Sequence, residues 1–98
     1  MAKHQYRVTL ERIADNHGDP VEGEKLEFVT ENHDDIVQLA KRTGKTTDDE
    51  LAFLVGLKLF GERLLVDKDN PLYSEFRPHF GAFMKALKGS HKGETPRS

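Results

Sequence analysis

Between Thr47 and Lys68 the chain reads Thr-Asp-Asp-Glu and then Leu-Ala-Phe-Leu-Val-Gly-Leu-Lys-Leu-Phe-Gly-Glu-Arg-Leu-Leu-Val-Asp-Lys, and the rest must pack around this stretch. Thr47 and Glu50, three residues apart, form a capping box, in which each side chain accepts from the other's unpaired backbone N–H at a helix start. Asp48 and Asp49 suit the positive end of the helix dipole, and a helix running to Asp67 would be roughly 30 Å long. At about 100° per residue, Phe53, Leu57, Phe60 and Leu64 fall on one stripe, with Leu54 and Gly61 beside it. Ala52, Val55, Leu59 and Val66 form a second stripe, with Lys58 and Glu62 on one side between the two and Arg63 and Asp67 on the other. A helix that is apolar on two faces needs cover on both. We therefore expect the first stripe to be internal core and Val55, Leu59 and Val66 to be a subunit interface. Gly56 and Gly61 each cost roughly 1 kcal/mol relative to Ala inside a helix, so close approach of another backbone would explain them.

A chain of 98 residues is one domain with a modest core. Hydrophobic residues make up 36% and charged ones 33%, so the apolar side chains are concentrated in the long helix and near Phe76 to Leu87. The net charge of −2 provides no global attraction to nucleic acid or an anionic membrane. Cysteine is absent, which removes disulfides, thiolate metal sites and cysteine nucleophiles from consideration. The start, Met-Ala-Lys-His-Gln-Tyr-Arg, lacks the apolar segment of a signal peptide, and Lys58, Glu62 and Arg63 interrupt the long apolar run. A cytoplasmic location without membrane attachment is the expectation.

Towards the N-terminus, Tyr6, Val8 and Leu10 alternate with Arg7, Thr9 and Glu11 as in a half-buried strand. Ile13 is out of phase, which calls for a bulge or strand end near Arg12. Residues Asp15 to Pro20 are turn formers, Gly23 prolongs the break, and Leu26 and Phe28 begin a second strand, giving a hairpin with a long, mobile loop. Such a ribbon is marginal alone, so it must lie on helices or extend across a partner's edge. Asn32 to Asp35 precede a short amphipathic helix carrying Ile36, Val37, Leu39 and Ala40, which closes at Lys41, Arg42 and Gly44. Asn70-Pro71 ends the long helix and can start another, and Pro78 repeats the signal before Phe80, Phe83, Met84 and Leu87. The fold expected is α+β, an N-terminal β-hairpin packed on three to four helices (ββααα) with a long central helix. The domain spans 1–89, followed by a disordered tail at 90–98.

The combination of Tyr6-Arg7-Val8-Thr9-Leu10, His33-Asp34-Asp35, Gly56-Leu57-Lys58-Leu59-Phe60-Gly61-Glu62, Asn70-Pro71-Leu72 and the later Phe80, Phe83 and Met84 resembles a family of short bacterial proteins, domain-of-unknown-function family 3861. The resemblance runs from about Tyr6 to Lys88 and is most specific at Gly56 to Glu62. It implies a bacterial, cytosolic, single-domain protein and carries over no reaction, cofactor or catalytic residue.

His33, Asp34 and Asp35 are the one polar constellation that invites chemistry, since imidazole and carboxylate could bind a divalent metal. Adjacent helical residues do not share a face, so His17, His79 or Asp48-Asp49 would have to complete such a site. The plainer reading has Asn32 capping the helix, Asp34 and Asp35 on its positive end and His33 on the surface. Gly44-Lys45-Thr46 resembles the end of a phosphate-binding loop, but Leu39 stands where that motif needs glycine, and a helix rather than a strand precedes it. No nucleophile elbow, dinucleotide turn or zinc-protease motif is present.

Two basic clusters, Lys3, Arg7 and Arg12 near the start and Arg77, Lys85, Lys88, Lys92 and Arg97 against Glu94 near the end, could contact phosphates. The long helix is too apolar to lie in a DNA groove. The sequence thus points to a non-catalytic protein-interaction or regulatory module, homodimeric, with no cofactor and an unidentified protein partner. The alternatives are nucleic-acid binding through the two basic clusters and a metal-dependent enzyme around His33 and Asp34.

Overall fold

Alternating side chains, two capped helix starts and a proline-led third helix set the order of elements. In the computed structural model, which describes the backbone of residues 2–97 and the side chains of 2–89, these are β1 (His4–Glu11), β2 (Lys25–Asn32), α1 (Ile36–Arg42), α2 (Asp48–Val66) and α3 (Pro71–Arg97). This is the ββααα arrangement of the α+β class, with a long second helix of 19 residues. The chain divides into two compact units, Met1–Leu59 and Phe60–Ser98, the division falling within α2. The tail expected at 90–98 lies outside the residues whose side chains are described.

In the first unit β1 and β2 pair antiparallel, with Tyr6 opposite Thr30, Val8 opposite Phe28 and Leu10 opposite Leu26 on one face. Arg7 opposite Val29 and Thr9 opposite Glu27 occupy the other. Beyond β1 the pairing slips by two residues between Arg12–Glu24 and Ala14–Pro20, which accounts for the phase break at Ile13. Gly23 sits in this slip, where an added Cβ would lie 2.6 Å from the Arg12 carbonyl oxygen, so only glycine lets the two segments pass. The turn itself is ordered by hydrogen bonds. Asp15 Oδ1 accepts from the N–H of His17 and of Asp19, and the Asp15 N–H donates to the Asp19 carbonyl.

The helix ends follow local chemistry. At α1 the Asp35 carboxylate accepts from Gln38 N–H, so Asp35 is the N-cap in place of the expected Asn32. Asn32 remains the last residue of β2, because its side chain is drawn inward to α2. At the other end Lys45 N–H donates to Ala40 O and Gly44 N–H to Lys41 O, with Gly44 at φ +71°. This is a Schellman close, and it settles Gly44-Lys45-Thr46 as a helix terminus. For α2 the capping box is present in full. Thr46 and Thr47 N–H donate to Glu50 Oε1, and Glu50 N–H donates to Thr47 Oγ1.

Helix α2 is unbroken at Gly56 and Gly61. Its buried face matches the expected stripe in part: Leu64 is buried and Leu57 half-buried, but Leu54, expected beside the stripe, is buried too, while Phe53 and Phe60 remain 46% and 43% exposed. Leu54, one step of about 100° from Phe53, takes the inward place in the first unit.

In the second unit Asn70 accepts from Leu72 N–H and so caps α3 directly before Pro71. Contrary to the expected second stop, α3 runs through Pro78 without a break. The Phe60 ring lies against Tyr73, Phe76 and Phe80, with centroids 5.8 to 6.2 Å apart, and so holds both sides of Pro78 to α2. Arg77 adds a clamp, its Nε donating to Leu64 O and its Nη2 to Asp67 O at the end of α2. These contacts offset a proline cost of about 3 kcal/mol in a helix interior.

Candidate functional site

The polar residues singled out between β2 and α1 are brought together, each with a separate partner. Asn32 is 1% exposed and donates through Nδ2 to the Lys58 carbonyl of α2 at 2.8 Å, while its Oδ1 accepts from Asp34 N–H at 3.0 Å. The Asp34 carboxylate lies 2.9 Å from Lys58 Nζ through Oδ2, and its Oδ1 lies 3.8 Å from His33 Nε2. Asp35 is committed to the α1 cap. The Tyr6 hydroxyl bridges the same corner, donating to Asp34 O and accepting from Ile36 N–H at 2.7 Å.

This corner is a polar lock that fastens the hairpin, α1 and α2 of the first unit to one another. Its carboxylate is partly buried with a lysine partner, and its buried amide is satisfied on both sides. Among the described residues no group of three or more His, Cys, Asp or Glu stands in a metal-holding arrangement.

Tyr6 and Lys58 belong to this corner, and neither was singled out for it from the sequence. The spacing placed Lys58 and Glu62 between the two stripes, and only the structure shows that Leu54 and Glu62, on the same helix face as Lys58, are buried. A lysine within a buried row needs a carboxylate partner. Which carboxylate it would be is set by the hairpin.

The basic clusters are dispersed among acids. Arg7 Nε lies 3.8 Å from Glu27, Arg12 Nη2 lies 3.5 Å from Glu24, and Arg77 is turned onto the end of α2. Lys85 and Lys88 are exposed, and the side chains of Lys92 and Arg97 lie outside the described residues. The three interface candidates differ: Val55 and Val66 are 37% and 45% exposed, and Leu59 is half-buried.

The hairpin's apolar face is covered only at the Tyr6 end, where Tyr6, Val8 and Thr30 are half-buried. At the far end Leu10 is 60% exposed, and Leu26 and Phe28 are also open to solvent. A concavity at that end is lined by Leu10, Glu11, Arg12, Glu24, Lys25 and Leu26, and the register places it at the opposite end of the hairpin from Asn32.

This architecture has relatives. A family described as a domain of unknown function with a solved structure (DUF3861) matches residues 4–89. The chain belongs to that family. A crystal structure of a protein of unknown function from Pectobacterium atrosepticum shares 34% sequence identity with this member, with a TM-score of 0.71 over 89% of this chain and 98% of the other. No curated protein matches the chain. Among the described residues no helix is long and apolar enough to cross a membrane.

Proposed function

We propose that this family member is a non-catalytic protein-interaction module of the bacterial cytoplasm that works as a homodimer. The observation that carries the reading is the balance of apolar surface. Among the described residues the buried hydrophobic side chains are Ile36, Leu54 and Leu64, while Leu10, Leu26, Phe28, Val55 and Val66 are exposed. Exposed apolar area on this scale marks an association surface, and a second copy is the partner a self-complementary face requires least to acquire. Val55, Leu59 and Val66 on α2 form the proposed helical part of the interface.

The polar lock at Asn32, Asp34 and Lys58 supports a structural role for the residues that would otherwise suggest catalysis. The pairing of Arg7 with Glu27 and of Arg12 with Glu24 counts against a continuous phosphate-binding face. Light scattering at micromolar concentration tests the reading. The expected result is twice the chain mass, falling to the chain mass in Leu59→Asp. A monomer mass for the unaltered protein would overturn it, and an undiminished dimer in Leu59→Asp would move the interface off α2.

A further inference from the structure

We infer that two copies of the chain join along the free edge of β1, antiparallel about Thr9, to make one four-stranded sheet. This rests on the homodimer reading and names its strand contact.

A two-stranded sheet has two open edges, and the hydrogen-bond phase says which residues face them. The Arg12 N–H donates to the Glu24 carbonyl at 3.2 Å, so this opposed pair turns its main-chain groups inward. By alternation along the register, Leu10, Val8, Tyr6 and His4 do the same. The outward groups of β1 therefore belong to Gln5, Arg7, Thr9 and Glu11, and those of β2 to Lys25, Glu27, Val29 and Glu31.

The β1 row is complementary to itself. Arg7 and Glu11 stand two residues either side of Thr9 with opposite charge, so a two-fold axis at Thr9 sets each Arg7 opposite the other copy's Glu11. Thr9 then meets Thr9 as a hydrogen-bonded pair, and on the opposite face Val8 meets Leu10. Opposite charges, paired threonines and apolar pairs at directly opposed positions all favour strand pairing. Arg7 has room for the new partner, since its side chain is 69% exposed and Glu27 stands 3.8 Å away. Leu10, open in one chain, would gain a neighbour on the apolar face that the two hairpins share.

The β2 row is complementary only over a short overlap: an axis at Leu26 sets Lys25 opposite Glu27 twice, but beyond these three positions it runs off the start of the strand. An axis at Val29 sets Glu27 against Glu31 twice, and one at Glu27 sets that carboxylate against itself. An axis at Phe28 pairs Lys25 with Glu31 but leaves each Val29 opposite a Glu27. Acidic residues in an exposed edge strand oppose pairing.

The test uses the absence of native cysteine. A hydrogen-bonded antiparallel pair holds its Cα atoms about 5.5 Å apart, within the roughly 4.4–6.8 Å a disulfide spans. Thr9→Cys, oxidised mildly in the folded full chain and run without reductant, should lose its monomer band to a covalent dimer. Val29→Cys, on the outer row of the other edge, should keep its monomer band. Adding Arg7→Glu to Thr9→Cys should abolish the cross-link, and adding Glu11→Arg as well should restore it. Equal cross-linking of the two cysteine variants, or none in Thr9→Cys, would overturn the β1 contact. Light scattering on the same samples separates the two claims: a dimer without the Thr9 cross-link removes the strand contact alone, and a monomer removes both.

Discussion

Asn32 shows how one side chain can join three elements. At 1% exposure it donates to the Lys58 carbonyl and accepts from the Asp34 N–H, so truncation removes both bonds and leaves the half-buried Asp34 N–H without its partner, while the Lys58 carbonyl keeps its helical bond. Asn32→Ala should therefore lower stability by about 1–3 kcal/mol, measured by urea unfolding, whereas a neutral effect would show the lock to be dispensable. Glu50 offers a pH-dependent counterpart. Hydrogen bonds from the Thr47 backbone first, then from the Thr46 backbone and the Thr47 side chain, hold its carboxyl below its ordinary value of 4.5. A carboxyl depressed in the folded state contributes stability that is fully present above pH 4.5 and is lost as the pH falls through the folded value. Glu50→Gln keeps an acceptor without the charge, so it should melt below the unaltered protein at pH 7, with the gap closing in acid. A gap of constant size across that range would refute the electrostatic part. The capping box was legible because Thr47 and Glu50 lie three residues apart. The role of Asn32 was not, since its partner is 26 positions away.

At the scale of elements, α2 was read correctly in extent and only in part in orientation: Leu64 of the expected stripe is buried, but the inward face is turned toward Leu54 and away from Phe53. Its cap and apolar run are local properties, but which of two apolar stripes turns inward depends on what packs against it. Leu54 is buried while Phe53 and Phe60 stay open. The two glycines of this helix now have separate explanations. An added Cβ at Gly61 would lie 3.1 Å from Cζ of Phe80, whereas at Gly56 it would meet nothing within 4 Å beyond the adjoining residues and backbone of its own helix. Gly56→Ala should raise stability by about 0.5–1 kcal/mol, the usual helix preference, with Gly61→Ala gaining less or losing because the Phe80 ring must move. Urea unfolding of the two variants side by side checks this, and a loss in Gly56→Ala would mean that another chain packs on that position. Helix α3 teaches the same lesson from the other side. Pro78 is a strong local stop signal, overridden because Phe60 and Arg77 bind both flanks of it to the end of α2.

For the whole molecule, the core within one chain is thin: among the described residues the buried hydrophobic side chains are Ile36, Leu54 and Leu64. If the protein is a homodimer, its melting temperature should rise with protein concentration, and in Leu59→Asp that dependence should vanish; a concentration-independent melt in the unaltered protein would count against dimerisation. The ββααα order, the α2 capping box and the close of α1 at Gly44 were legible in the chain alone, because alternation, capping residues and glycine act over a few positions, whereas the α1 cap moved from Asn32 to Asp35 once Asn32 was drawn to α2. The partner of Lys58, the inward face of α2, the survival of α3 past Pro78 and the open far end of the hairpin were decided only in three dimensions. Each depends on groups many residues apart, and periodicity along a chain states that a face is apolar without stating what will cover it.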